Sequence, residues 1–182
     1  PPNPVWVIGS YDTEGRPNMM TASWVGVCCS KPPMVTVSLR KATYTYGNIK
    51  ASGAYTVNIP SRKLAPVAAY VGTVSGRDTD KFKDTGLTPV RSSLVNAPYV
   101  EEFPLVLECE LFKTVELGLH TMFIGEIIDV KADSAIVGEN GTPEVSRLDP
   151  FIFNYGGWGF YGIGDNIGRV GELAGEIKEN TR

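Results

Sequence analysis

The chain has 182 residues, which favours one domain and allows a sizeable core without stabilising disulfides or metals. Its charged fraction of 20% and hydrophobic fraction of 42% are ordinary for a globular protein. The net charge is −3 and the basic residues are scattered, so the composition argues against a nucleic-acid partner. No apolar run reaches the roughly 18 residues that a membrane span needs, so we predict no membrane partner.

Cysteine usage is sparse. Cys28 and Cys29 are neighbours, and on a strand their side chains would point to opposite faces, while Cys109 lies far away in the sequence. We therefore expect three small buried hydrophobic residues rather than a disulfide framework or a metal site, and a cytoplasmic protein. The chain begins Pro-Pro-Asn-Pro without Met, which we interpret as a fragment or a processed chain.

Short β-branched and aromatic runs predict strands at residues 5–11, 20–29, 34–39, 54–59, 105–112 and 119–131. Helices are predicted at 44–52, between the N-cap Thr43 and Gly53, at 62–71, and from the cap Asp78 to Gly86. Alternation in the strand 105–112 places Glu108 and Glu110 on a half-exposed face, and Gly125 predicts a bulge in the last strand. Residues 139–142 form a loop tip.

Seven or so short strands with two or three short helices predict a mainly β protein, a closed or split β-barrel. We find neither repeats nor a linker that would divide the chain, so one domain is predicted over residues 1–182.

Two tempting motifs do not predict an active site. Gly157 to Gly162 match a dinucleotide-binding pattern by letter, but the chain that follows has no room for the required strand–helix–strand unit. We interpret this aromatic, glycine-rich segment as a flap or a dimer contact. His120 is the only histidine and lacks a nucleophile motif nearby, so it is a hydrogen-bonded strand residue or a ligand contact across a subunit interface. Arg77 and Lys81 lie at a polar helix start, where a solvated charge is the default.

Polar donors gather around the two extended runs that the Pro32-Pro33 break joins. If these runs pair, the donors converge at one end of a sheet: Asn18, Thr21 and Ser23 from the first run, with Ser38, Arg40, Lys41, Thr43 and Thr45 from the second. Cations, hydroxyls and the free amides of a helix start together favour a phosphate. A surface turn with a capped helix explains the same residues equally well.

Several segments, taken in order, resemble the flavin reductase-like FMN-binding split β-barrel proteins, and most of all the flavoredoxins among them. They are NMMTASW from Asn18, Lys31-Pro-Pro, VSLRKATYTYGNI, TVNIPS, SGRDTDKF and Leu117-Gly-Leu-His-Thr. The resemblance covers residues 4 to about 131 and implies a homodimer with one non-covalent FMN per subunit near the dimer interface.

By position, the resemblance implies contacts of Asn18, Thr21, Ala22 and Trp24 with the isoalloxazine ring and ribityl chain. It implies a phosphate end held by Ser38, Arg40, Lys41, Thr43 and Thr45, with Asn48 nearby and Lys81 as a second cation. His120 from the partner subunit would approach the flavin.

No side chain is predicted to be catalytic, because a flavin carries out redox chemistry itself. The implied function is an oxidoreductase or electron carrier that accepts electrons from NADH, NADPH or a redox-protein partner. The alternatives are a non-catalytic module for FMN storage or sensing, and a hydrolase built on His120.

Overall fold

A computed structural model describes residues 1–179 of the chain, so that residues 180–182 of the predicted domain lie outside the described residues. Twelve strands form three antiparallel sheets. The strands are β1 (Pro2–Pro4), β2 (Trp6–Tyr11), β3 (Pro17–Ala22), β4 (Val25–Ser30), β5 (Pro33–Arg40), β6 (Ala54–Ile59), β7 (Pro89–Arg91), β8 (Pro98–Val100), β9 (Leu105–Leu117), β10 (His120–Ala132), β11 (Phe151–Asn154) and β12 (Gly159–Gly162). The largest sheet has the order β3-β2-β6-β9-β10-β5-β4.

The two edge strands of this sheet, β3 and β4, are consecutive in the chain. Only Ser23 and Trp24 separate them, so the sheet must curl until its edges lie side by side. The Ser38 amide donates to the Trp24 carbonyl at 2.8 Å, which ties the connection to β5. The prediction of a mainly β split barrel is confirmed. The predicted single strand 20–29 is wrong, because the chain crosses there from one edge to the other.

The two runs pair in part: β4, the second half of the first run, pairs with β5, and Val25 faces Val37. Asn18 and Thr21 lie instead on β3, which pairs with β2. Barrel closure therefore brings the donors together, in addition to strand pairing.

Five α-helices occur in the described residues, rather than two or three. They are α1 (Tyr44–Ser52), α2 (Ala65–Thr73), α3 (Lys81–Thr85), α4 (Val145–Leu148) and α5 (Val170–Glu179), and the last two were not predicted. Gly53 and Gly86 end α1 and α3 in left-handed conformations, as predicted. The predicted cap Asp78 is wrong: its amide closes a turn with the Ser75 carbonyl, and Asp80 caps α3 by accepting from the Lys83 amide at 3.1 Å.

The barrel interior holds the main apolar core, with Ile8, Val35, Val57 and Phe123 fully buried. The predicted bulge at Gly125 is confirmed by a register shift between β9 and β10. A Cβ atom there would lie 2.4 Å from the Tyr55 hydroxyl, so only glycine lets β10 pass this ring.

A second core lies outside the barrel, where α2, Phe82 and Phe103 pack against β2 and β3. Strands β11 and β12 join it through Phe151 and form a small sheet with β1. The glycine pattern 157–162 therefore lies on an antiparallel hairpin and not at a turn between a strand and a helix.

Two burial predictions were wrong. Glu108 is fully buried and not half-exposed: it lies opposite Thr56 of β6, whose hydroxyl bonds to the Pro98 carbonyl, and Lys131 pairs with it at 3.4 Å. Cys28 is exposed at a register shift of the edge strand β4, whereas Cys109 is buried as predicted. No helix in residues 1–179 has the length and apolar character to cross a membrane.

Candidate functional site

A cavity of about 290 Å³ opens at one end of the barrel, close to the lower limit for small-molecule sites. Three parts of the chain line it: Met20 of β3, the turn from β5 into α1 (Arg40, Ala42, Thr43, Tyr44 and Thr45), and the end of α2 with the following loop and helix (Gly72, Thr73, Val74, Ser75, Gly76 and Lys81). Four of the predicted site residues therefore meet here: Arg40, Thr43, Thr45 and Lys81.

The turn at residues 40–45, which we call the donor turn, is closed by its own hydrogen bonds. Both the amide and the hydroxyl of Thr43 donate to the Arg40 carbonyl, at 3.0 and 2.9 Å. Thr43 is extended at the N-cap position of α1, as predicted, but its hydroxyl does not cap the helix. The first backbone amides of α1 therefore have no acceptor from the Thr43 side chain. They belong to the N-terminal end of the helix, whose residues Tyr44 and Thr45 line the cavity.

A buried polar network lies behind the donor turn. The Asn18 amide nitrogen donates to the Thr45 hydroxyl at 2.9 Å, and the Asn48 amide nitrogen donates to the Ser10 hydroxyl at 3.2 Å. The Asn18 side-chain oxygen is buried and has no hydrogen-bond partner in the part of the chain that the structure describes. It lies against Gly76, where a Cβ atom would come within 2.1 Å of it. An unpaired buried acceptor beside a cavity is suited to a donor group of a ligand.

Lys81 supplies a buried cation. Its side chain is 3% exposed, and its ammonium donates to the Val71 carbonyl at 2.7 Å. Among the side chains described, those of residues 1–175, no carboxylate lies at salt-bridge distance from it. Burial lowers the pKa of Lys81 to about 8, because the charged form loses hydration. An anion in the cavity would offset this cost.

The other predicted residues on β3 and α1 do not line the cavity. The Thr21 hydroxyl donates to the Ala68 carbonyl at 2.5 Å, which ties β3 to α2. Ala22 belongs to the barrel core, and Asn48 lies in the polar network. These side chains hold the wall of the site in place.

Ser38, Lys41, Trp24 and His120 lie on the outer side of the donor turn. Ser38 is half-buried on β5, and the Lys41 ammonium pairs with Glu116 at 2.7 Å, away from the cavity. His120 faces Arg40 across the strand pair, and its ring centroid lies 6.4 Å from that of Trp24. Trp24 in turn contacts Tyr155 of the hairpin, with centroids 5.4 Å apart. Trp24 therefore contacts His120 edge-on and Tyr155 at a tilt, and this partly exposed aromatic cluster lies beside Arg40.

The sequence analysis missed several lining residues. Tyr44 and the loop from Gly72 to Gly76 form much of the wall. Tyr44 follows Thr43 directly in the sequence. Gly76 belongs to the segment SGRDTDKF that carries the family resemblance, and from this segment only Lys81 was assigned to the site.

The residues fit the phosphate end of FMN. The cavity combines two cations, Arg40 and Lys81, with the hydroxyls of Thr43 and Thr45 and the start of a helix, and phosphate oxygens accept from all of these groups. The unpaired Asn18 oxygen could accept from a hydroxyl of the ribityl chain.

Comparison with known proteins agrees with this geometry. The family model of the flavin reductase like domain matches residues 1–153. Among solved structures, flavoredoxin of Desulfovibrio vulgaris (Miyazaki F) is 46% identical with a TM-score of 0.89, covering 93% of this chain and 91% of its own. Flavoredoxin from Methanosarcina acetivorans is 28% identical, also with a TM-score of 0.89, covering 97% and 92%.

A sequence relative is the ferric-chelate reductase (NAD(P)H) of Archaeoglobus fulgidus, 26% identical over 68% of this chain and 73% of its own length. The matched domain spans most of the present chain, and its two flavoredoxin neighbours share nearly the whole fold. The chain therefore belongs to the flavin reductase-like family.

Proposed function

We propose that this protein binds FMN non-covalently and uses it to accept electrons and pass them on. The observation that carries the proposal is the buried Lys81 ammonium, which lies with Arg40 and two threonine hydroxyls in one cavity and has no carboxylate partner among the side chains of residues 1–175. Such a site favours an anionic ligand.

Within this proposal, the side chains bind and orient the cofactor. Arg40 and Lys81 hold the phosphate with Thr43 and Thr45, and Asn18 accepts from the ribityl chain. Trp24 forms an aromatic wall for the ring. Bound FMN supplies the transfer of hydride or single electrons, so that no acid or base from the chain is required.

The electron donor is NADH, NADPH or a redox protein, and the names of the relatives support both classes. One relative is a reductase that uses NAD(P)H, and two structural neighbours are flavoredoxins. A module that stores or senses FMN without turnover is the second candidate, favoured by the small size of the cavity.

We further propose a homodimer in the cytoplasm. Large apolar side chains are exposed on the edge strand β4 and along the β9–β10 hairpin, including Val27, Phe112 and Leu119 with 72%, 63% and 64% exposure. Apolar groups in such number favour a protein partner, and a second copy would bring its His120 to the site. Three free cysteines support a reducing compartment.

The first test is a titration of the purified protein with FMN, followed by stopped-flow mixing with NADH or NADPH. We expect a yellow complex with FMN, and we expect its visible absorption to be bleached when an electron donor reduces the flavin. Bleaching at catalytic rates supports a nicotinamide-dependent reductase, and bleaching only by a reduced redox protein supports an electron carrier. A yellow protein inert to every donor supports storage or sensing. A preparation that remains colourless in excess FMN contradicts the proposal.

Substitution of Arg40 tests the phosphate assignment. Arg40→Ala should weaken FMN binding by about 1.5–3 kcal/mol, the worth of a charge-assisted hydrogen bond. Lys41→Ala is the matched control: its ammonium pairs with Glu116 outside the cavity, so we expect a change below about 1 kcal/mol. Fluorescence titration gives both affinities, and equal losses would place the phosphate elsewhere.

The pH dependence of binding tests Lys81. Below pH 8 its ammonium is charged in the free protein, and above pH 8 it loses the proton unless an anion is bound. Because a bound phosphate dianion raises this pKa, binding takes up a proton, and the FMN affinity should fall by up to about tenfold per pH unit above pH 8. Lys81→Met should bind weakly with a flat profile between pH 7 and 9. An FMN affinity of the unmodified protein that does not change with pH in this range would show that Lys81 does not bind the phosphate.

Sedimentation equilibrium tests the dimer. We expect twice the mass of one chain, and dissociation when Val27 and Phe112 are both replaced by Asp, because a charge on each would oppose burial of this face. The control is Ile167→Asp, a change at an exposed residue outside β4, β9 and β10. A monomeric unmodified protein would contradict the proposal.

A further inference from the structure

Tyr44 joins the donor turn to the turn between β2 and β3. Its ring lines the cavity, and its hydroxyl donates to an Asp12 carboxylate oxygen at 2.7 Å. The two residues are 32 positions apart in the chain, so this bond connects separate loops.

The Asp12 carboxylate is a fixed anchor. One oxygen accepts from the backbone amides of Glu14 and Arg16, at 2.9 and 2.8 Å, and the other accepts from the Arg16 guanidinium at 2.8 Å. Its burial opposes ionisation, but the hydrogen bonds from Tyr44 and Arg16 outweigh that cost and lower the pKa of Asp12 to about 2. The carboxylate therefore accepts from Tyr44 throughout the physiological pH range.

Arg77 joins the donor turn to the loop between α2 and α3. Its guanidinium lies 5.4 Å from the centre of the Tyr44 ring and donates to the Ala42 carbonyl at 2.9 Å. A planar guanidinium can stack on a ring and donate within its own plane at the same time, which an ammonium cannot do. Gly76, one residue earlier, permits the close approach, since a Cβ atom there would lie 2.9 Å from a Tyr44 ring carbon.

These contacts surround the same cavity. The donor turn forms one wall and the loop with Gly76 forms the opposite wall, so Arg77 holds the two walls at a fixed separation while Asp12 fixes the first from behind. Of the three residues, only Tyr44 lines the cavity.

We propose that Tyr44 and Arg77 are positioning residues that brace the donor turn and keep the cavity in the shape that binds the cofactor. This inference rests on the proposed function for the identity of the ligand, FMN. The physical basis is preorganisation: a turn that is already ordered loses less conformational entropy on binding.

Amide hydrogen exchange of the ligand-free protein tests the brace without any flavin. Arg77→Ala should raise the exchange rate of residues 42–45 at least fivefold and leave β6 and β9 unchanged. Tyr44→Phe should also raise the exchange rate, because this variant loses the hydrogen bond to Asp12. It keeps the ring beneath Arg77, so it tests that bond alone. Lys63→Ala, a change to another exposed cation, is the control and should have no effect.

Flavin fluorescence then measures FMN release. We expect Arg77→Ala to release FMN about tenfold faster, and Arg77→Lys to recover only part of the loss. The double variant Tyr44→Leu with Arg77→Ala should release FMN less rapidly than the product of the two single effects predicts, because both changes remove the same contact. Saturating FMN should restore slow exchange in every variant.

The outcomes separate this inference from the proposed function. If the unmodified protein does not bind FMN, the function is wrong, and the exchange rates still decide whether the brace exists. If it binds FMN while Arg77→Ala and Tyr44→Phe exchange and release at unmodified rates, the brace is overturned. If Tyr44→Leu does not fold, Tyr44→Phe and the exposed Arg77 still decide the result.

Discussion

The buried ammonium of Lys81 is the interaction on which the site depends. Its only hydrogen-bond acceptor within residues 1–175 is the Val71 carbonyl, which satisfies one of its three donors and none of its charge. An ion in this position costs free energy in the empty cavity, and a negatively charged ligand recovers that cost. The same α2 helix whose end supplies the carbonyl is tied to β3 through Thr21, so the cation is fixed relative to the barrel.

The barrel and the second core position the elements that form the site. Closure between β3 and β4 brings one edge of the sheet beside the donor turn, and the second core fixes α2 and α3 against β3. The polar residues Asn18 and Thr21 of β3 and Asn48 of α1 then serve mainly as structure: Asn18 and Asn48 form a buried network, and Thr21 bonds to a backbone carbonyl. Membership of the flavin reductase-like family agrees with a chain that supplies shape and charge and leaves the redox chemistry to a cofactor.

Local signals predicted much of this fold. Alternating strands, the glycine stops at Gly53 and Gly86 and the bulge at Gly125 each depend on a few neighbouring residues, and each is present. The errors arose where distant segments decide the outcome. Strand 20–29 breaks because the chain must cross the barrel seam. Glu108 is buried beside Thr56 and Lys131, which are distant in the sequence, and Asp80 replaces Asp78 as a cap because Asp78 is already used in a turn.

The sequence by itself determined the residue types of the site: the cations and hydroxyls at the start of α1 suit a phosphate or a capped surface turn equally well, and the family resemblance favours the phosphate. It also determined the family, because the ordered segments extend along most of the chain. Only the tertiary structure decided which donors face the cavity: Arg40 does, while Lys41 next to it pairs with Glu116. Adjacent side chains diverge at a turn, and the partner of each is set by segments far away in the sequence, which no local pattern records. The bonds from Tyr44 to Asp12 and from Arg77 to Ala42 have the same origin, because they join loops that meet only once the barrel has closed.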